Sequence, residues 1–591
     1  MEAVHTETKH GVAGATGGQV EAAAIDIAID RLQERKNDWV LLPLAEKVHH
    51  LDQMRRNVVH VAEEWVQRSI DAMHLPADSP WVNELWMGGP WALLWGIDRY
   101  RETLAALAAG VDPLTLTGSM RTTSSGQVAV NVFPLHPVDR LLLSGARAEV
   151  WMEPEVTRQT LPETMAAFYR QEAPAGKVSL ILAAGNVGSI APMDMLHKLL
   201  AEGSVCLLKM NPVNDYGGPF LEEIFAPLHA YGFVDFIYGG PDVGEYLVKH
   251  PGIDAIHITG SIHTHDAIVF GPGAKGAARK ARNQPILDKP ITSELGNVTP
   301  TIVVPGPWSE DDLRFQAEHI ATQKLHNGGF NCVGSQVLVT AAEWALTDRL
   351  LYHLRTVLRS LPPRHPYYPG AEARKERVLA HAGGERLGGR PGDPVLVTGL
   401  DPESDEAAFR EEFFCAALAE TRLPGGDPAD FLRRAVVFCN QRLWGTLAAN
   451  IIIHPATLRR QRRAFEQALA DLRYGSIGVN IWTGAGFMLS QTTWGGYPGH
   501  TLADAGSGIG QVHNTFLFER AQKSVVYGDF APFPHNLRPG YLVHGERHFL
   551  PKPPWFVTNP QAAAVARRLF DFTADQKAWR LPGLFFHALR G

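Results

Sequence analysis

The chain is 591 residues long, 45% hydrophobic and 20% charged, with a formal net charge of −7 and a pI near 6.4. That balance offers no basic excess for nucleic acid and no block of like charge for a partner tail, and four cysteines are too few for a disulfide framework. No apolar run is long enough for a bilayer span and the amino-terminal MEAVHTETKHGVAGATGGQ lacks the pattern of a signal peptide, so an α/β chain of the reduced cytoplasm is expected.

Residues 1–20 have no periodicity and read as a mobile leader. From Pro43 the apolar residues Leu44, Val48, Leu51, Met54, Val58, Val61 and Trp65 recur every three or four positions, which predicts an amphipathic helix. Trp81, Trp86, Trp91 and Trp95 follow. Then QVAVNVFP, RLLLSG and AEVWMEP, between residues 127 and 154, predict a strand meander, either a subunit contact or an ordinary surface hairpin.

A regular alternation begins next. The apolar runs 178–183, 204–208, 234–238 and 254–258 are separated by helix-like stretches at 190–201, 218–231 and 243–250, which predicts a parallel, doubly wound sheet of the dinucleotide-binding type. Gly185-Asn186, Lys209, Gly239-Gly240-Pro241 and Thr259-Gly260-Ser261 close the four runs, at the edge where such sheets bind ligands. The G-x-G-x-x-G fingerprint is missing, yet glycine and serine at a helix start hold a pyrophosphate through backbone N–H groups; as ordinary turns and caps they need no ligand at all.

Glu294, in TSELGNVTP, precedes an apolar run, where it is either a partly desolvated general base or a salt-bridging surface glutamate. A helix over 311–326 leads into NGGFNCVGS (327–335), whose Cys332 is either a nucleophile or a small packed hydrophobe. A strand at 335–340, a helix over 342–360 and a loop-rich segment at 361–393 come next. Glu411-Glu412-Phe413-Phe414, helices near 428–436 and 457–472, and a short strand with an aromatic and glycine loop (475–499) complete this half. Residues 531–558 are proline-rich and predict an irregular arm, followed by an amphipathic helix over 562–576 with Val565, Leu569 and Phe572 on one face. No metal-ligand constellation stands out.

With these residues in order, the chain resembles the aldehyde dehydrogenase superfamily from about residue 25 to about 530. NGGFNCVGS resembles the family's cysteine turn, TSELGNVTP its Glu-Leu-Gly-Gly segment and AAGNVG its Pro-Trp-Asn segment; LLKMNP, ITGS, EEFFC, VNIW and TTWGG fall in the family's order. The resemblance implies an α/β fold of two Rossmann-like lobes with a strand excursion bridging them. It implies a cofactor-binding domain (21–126 and 160–291), bridging strands (127–159 and 506–530), a catalytic domain (292–505) and a carboxy-terminal arm (531–591). Cys332 takes the place of the nucleophile, Glu294 of the base and Asn186 of the oxyanion donor. Lys209, Gly240, Gly260, Ser261 and Glu412 take places along an NAD or NADP site, with Trp482, Phe487 and Trp494 along a substrate tunnel or simply in the core.

The implied activity is oxidation of a small-molecule aldehyde by a thiolate of lowered pKa, in a homodimer or homotetramer. The alternatives on the same fold are reduction or transfer of an activated acyl group such as an acyl-CoA, and a non-catalytic subunit. The chain departs from the family at Ala184-Gly185 before Asn186, in Lys209-Met210-Asn211-Pro212, which lacks the carboxylate usual a few residues after the lysine, and at Cys415-Ala416 after the glutamate motif. The arm is expected to drape over its own subunit or a neighbour, or to cover the tunnel or a partner.

Overall fold

The computed structural model describes residues 17–591 apart from 77, 363, 381–382 and 546–547. Residues 1–16 of the expected leader lie outside the described residues. Its last residues correct the expectation: Gly17 opens a helix, Gly17–Leu41, ahead of the anticipated helix Leu44–Ala72. The latter buries Leu51, Met54, Val58, Val61 and Trp65, the stripe that its periodicity marked.

The expected doubly wound sheet has six strands. Lys177–Leu182 pairs in parallel with Ser204–Lys209 on one side and Ala255–Gly260 on the other; Val234–Ile237 and Ile291–Leu295 extend it outward, and Gly508–Ile509 adds an antiparallel edge. Helices Ile190–Leu200, Gly218–His229 and Pro241–Lys249 supply the crossovers. The strand order reverses between Lys177–Leu182 and Ala255–Gly260, and a crevice opens at their carboxyl ends, where Asn186 and Gly260-Ser261 lie. The expected boundary at 291/292 falls inside Ile291–Leu295, which closes this sheet, and Gly508–Ile509, expected to bridge, pairs with it instead.

The second sheet has eleven strands. Its parallel centre runs Ala521–Tyr527, Ser476–Val479, Ala448–Ile452, Thr299–Val303, Ser335–Ala341, Ala417–Leu423 and Val395–Leu400, and Gly384–Arg386 closes one edge antiparallel. At the other edge Arg147–Met152, Val128–Phe133 and Met120–Thr122 add antiparallel to Ala521–Tyr527, so the excursion pairs within this chain. RLLLSG is not a strand. Pro137–Leu142 is a short helix, because Pro137 presets the first turn and the Asp139 carboxylate accepts the N–H groups of Leu135 and His136, both at 3.0 Å. The helix expected over 342–360 begins at Thr347, and 361–393 contains the helix Ala371–Leu379.

The arm crosses its own chain. It is irregular through most of 531–558, as its prolines dictate, then forms Ala562–Asp575 and a final, unanticipated helix Leu581–Ala588. Arg55 clamps the end of the first of these: its guanidinium donates to the Thr573 and Ala574 carbonyls at 3.0 and 2.9 Å and pairs with buried Asp98 at 2.8 Å. The Trp91 indole donates to Thr573 Oγ1 and Asn83 to the Pro554 carbonyl. No helix among the described residues is long and apolar enough to cross a membrane.

Arg55→Ala leaves the buried Asp98 carboxylate with only the longer Arg101 contact, at 3.7 Å, and uncaps the arm helix, a loss expected at about 2 kcal/mol. Hydrogen exchange followed by mass spectrometry is expected to show faster exchange over 562–575, with the six-stranded sheet protected as before.

Candidate active site

The helix Glu310–Leu325 delivers the chain to the cysteine turn, which is wound left-handed at Asn327, Gly328 and Gly329, with φ of 55°, 64° and 84°. Glycine is required at 329 twice over, by that φ and by a Cβ that would stand 2.5 Å from the Cys415 carbonyl oxygen. Asn327 tolerates its φ as asparagine does and uses its side chain across the site: Nδ2 donates to the backbone carbonyls of Asn186 (2.8 Å) and Phe330 (3.2 Å), while Oδ1 accepts from Tyr367 (3.0 Å). In return Asn186 Nδ2 donates to the Phe330 carbonyl at 2.9 Å. One hydrogen of that amide is therefore fixed against the turn, and the other is left for a ligand.

The unusual Gly185 before Asn186 has a local cause. A Cβ there would lie 2.7 Å from Asn211 Oδ1, and Asn211 ties the loop together by donating to the Ala183 carbonyl and accepting from Val213 N–H.

Two openings meet at Cys332. A cleft of about 1420 Å³ is lined by Lys209, Gly240, Gly260, Ser261, Glu294 and Glu412; a smaller cavity of about 140 Å³ is lined by Trp482, Phe487 and Trp494. Cys332 and Asn186 line both. Cys332 is the half-buried cysteine; Cys206, Cys415 and Cys439 are fully buried.

Glu294, at the carboxyl end of Ile291–Leu295, is 2% exposed, which rules out the surface salt bridge. Burial, reinforced by the Asp194 charge, pushes its carboxyl up to about 8. The Cys332 thiol and Trp494 indole lie against it and act in the opposite direction, although neither carboxylate oxygen forms a hydrogen bond of normal geometry. The expected lowering of the thiol is corrected. Burial, then the charge and hydrogen bonding of Glu294, hold Cys332 well above an ordinary cysteine.

The cleft side follows the sheet. Lys209 ends Ser204–Lys209, and burial lowers its ammonium against the opposing charges of Asp242 and Asp215. Gly240 precedes Pro241–Lys249 with no side-chain cap, and Ser261 caps Ile262–Phe270 by accepting from Thr264 N–H, so two helix starts face the cleft. Glu412 accepts from Asn297 N–H at 3.3 Å; burial raises its carboxyl to about 7, with Lys324 and Arg374 pulling it down. Gly296 has no room for a side chain beneath that carboxylate. The Cys415-Ala416 departure is accommodated by Arg374, which donates to the Phe413 and Phe414 carbonyls at 3.0 and 2.9 Å.

All eleven residues anticipated from the sequence lie on these two openings. The sequence reading missed Asn327 and Tyr367, which join distant segments, and the arm residues of the smaller cavity. Trp91 and Trp95, visible in the tryptophan-rich run, also line that cavity.

Residues 143–373 match the model of the aldehyde dehydrogenase family. The chain is 26% identical over 368 residues to aminoacetaldehyde dehydrogenase of Pseudomonas aeruginosa, covering 57% of this chain and 67% of that protein. It is 27% identical over 342 residues to 3,6-anhydro-alpha-L-galactose dehydrogenase of Streptomyces coelicolor, covering 54% and 58%. Against other curated relatives it spans about a third of their length. Among solved structures, the Mycobacterium tuberculosis aldehyde dehydrogenase complexed with NAD+ superposes with a TM-score of 0.58 at 18% identity, over 87% of this chain and 91% of that one. The NAD-dependent aldehyde dehydrogenase of Sinorhizobium meliloti gives 0.57 at 17%, over 87% and 89%. These likenesses establish a shared fold.

A thiol held high by burial gives a distinct pH signature. Alkylation of Cys332 by iodoacetamide, followed by peptide mapping, is expected to rise about tenfold per pH unit through pH 9. A plateau between pH 7 and 8 would mark a thiolate already formed.

Proposed function

We propose that this chain, which belongs to the aldehyde dehydrogenase superfamily, oxidises an aldehyde to a carboxylic acid with NAD or NADP. The carrying observation is the meeting of Cys332, Asn186 and Glu294 where a large polar cleft joins a small apolar cavity.

The cleft fits a dinucleotide. It has the volume, two helix starts, the Lys209 ammonium and the Glu412 carboxylate for ribose hydroxyls. The stretch Lys209-Met210-Asn211-Pro212 carries no carboxylate of its own, so the reading takes in both NAD and NADP. We assign this role to residues 21–126 and 160–291 with the strand Ile291–Leu295, and the chemistry to the rest of 292–505 with Glu294 reaching in from the cofactor-side sheet.

In this reading the Cys332 sulfur attacks the aldehyde carbon and its proton passes to Glu294, the carboxylate against it. The new oxyanion accepts hydrogen bonds from the second Asn186 amide N–H and the Cys332 backbone N–H. A bound nicotinamide supplies the hydride acceptor that converts the adduct to a thioester. Glu294 releases the thiol proton to solvent and then takes a proton from water, which attacks the thioester carbon and expels the thiolate as the acid forms.

Reduced nicotinamide formation from an aldehyde panel, with NAD and NADP in parallel, tests the reading. Cys332→Ala is expected to abolish turnover, and Glu294→Gln to give one burst and a steady rate about 10²- to 10⁴-fold lower. Silence on every aldehyde, with oxidation of reduced nicotinamide by an acyl-CoA, would move the assignment to an acyl reductase.

Because burial raises Glu294 to about 8, its basic form is lost as pH falls below that value. Hydrolysis of the acyl-enzyme in single turnovers is expected to rise about tenfold per pH unit up to about pH 8 and then level. A pH-independent rate between 6 and 8 would remove Glu294 as the base.

A further inference from the structure

The cavity on the far side of Cys332 is built from two parts of the chain that are distant in sequence. One wall is Trp482, Phe487 and Trp494 with Trp91 and Trp95; the other is the carboxy-terminal arm, through Phe549, Leu550, Trp555, Leu569, Leu584 and Phe585. We propose that the arm is the distal wall of the substrate channel, that the substrate is an uncharged aldehyde with an apolar tail, and that the final helix Leu581–Ala588 sets how long that tail is. This deepens the reading of Cys332 as the nucleophile and rests on it.

Charge supports the substrate class. Among the residues lining the cavity, Asp139 and Lys552 carry formal charge, and both are spent inside the protein. Asp139 accepts two backbone N–H groups of its own helix start, and Lys552 is paired with Glu318 at 2.9 Å. His326 is held below the ordinary histidine range by burial and packs at a tilt against Trp482, with ring centroids 4.7 Å apart. A carboxylate or ammonium on the substrate would lose its hydration and find no free counter-charge. An alkyl or aryl tail instead exchanges water for aromatic and leucine side chains.

The arm is held firmly enough to act as a wall. Trp91, itself on the opposite wall, donates to Thr573 Oγ1 at 3.0 Å. Asn559 Nδ2 donates to the Lys552 and Pro553 carbonyls, closing the proline-rich stretch on itself. Val557 N–H donates to Thr322 Oγ1 on the helix that delivers the cysteine turn. Leu584 is buried and Phe585 half-buried beneath the end of the chain, while Phe549 is 72% exposed and marks the rim.

The test measures kcat/KM for straight-chain aldehydes from ethanal to dodecanal, with succinic semialdehyde as the charged comparator, in the full-length enzyme and in Phe585→Ala and Phe549→Ala. The native enzyme is expected to gain about three- to fourfold per methylene until the wall is met, then fall, and to discriminate against the charged comparator. Phe585→Ala is expected to shift the optimum to chains longer by about two carbons, since it removes wall volume. In parallel, the labelling rate of Cys332 by N-alkyl maleimides of increasing chain length is read by peptide mapping, which needs no turnover. Chain-length-dependent labelling that shifts in Phe585→Ala, with no aldehyde oxidised, would sink the dehydrogenase reading and keep the wall. A flat dependence on chain length in both measurements, a preference for the charged aldehyde, or profiles unchanged in both variants would overturn the wall assignment.

Discussion

The site depends on a reciprocal clasp between two segments about 140 residues apart. Asn327 donates to the Asn186 carbonyl, and Asn186 donates to the Phe330 carbonyl. Each bond fixes the other's geometry, because the Asn186 amide is oriented only while the left-handed turn holds, and the turn is spanned by the same carbonyls. The six-stranded sheet presents Asn186 and the eleven-stranded sheet receives Cys332. The clasp is therefore also one link between the two sheets, and it is buried, where such bonds are not traded for water.

Burial then sets the electrostatics. Glu294 and Cys332 are both pushed toward their neutral forms, each by desolvation first and by a neighbouring negative charge second. Because each group opposes ionisation of the other, the pair titrates as a unit rather than as two independent groups. Lys324 and Arg374 act on Glu412 rather than on the thiol, so the cationic influence is kept on the cleft side.

Much of this was legible in the sequence, for reasons that differ by element. The four apolar runs ending in Asn186, Lys209, Gly240 and Gly260 are strands because buried parallel strands are continuously apolar, and their polar last residues mark the ligand edge. The cysteine turn is legible because Asn-Gly-Gly can take a left-handed path. RLLLSG misled because Pro137 and Asp139, just upstream, carry the helix signal and the leucines do not. The raised thiol was out of reach, since desolvation depends on what packs around it and no local pattern encodes that. So was the clasp, which depends on distant carbonyls, and the arm, whose prolines announce irregular backbone without saying where it lands.

The arm reaches the site through the helix Glu310–Leu325, where Phe556 stacks on Phe315 and His319 at 5.2 and 5.4 Å and Val557 bonds to Thr322. The order of synthesis gives that contact a meaning. Five of the six strands of the cofactor-side sheet are complete by Leu295, and Gly508–Ile509 follows much later. The apolar cavity is finished last, when Leu581–Ala588 has left the ribosome. Until that helix is in place, the wall formed by Leu584, Phe585 and Ala588 is missing and the cavity beside Cys332 stands open on that side. Shortening the carboxy terminus would leave the chain in that unfinished form.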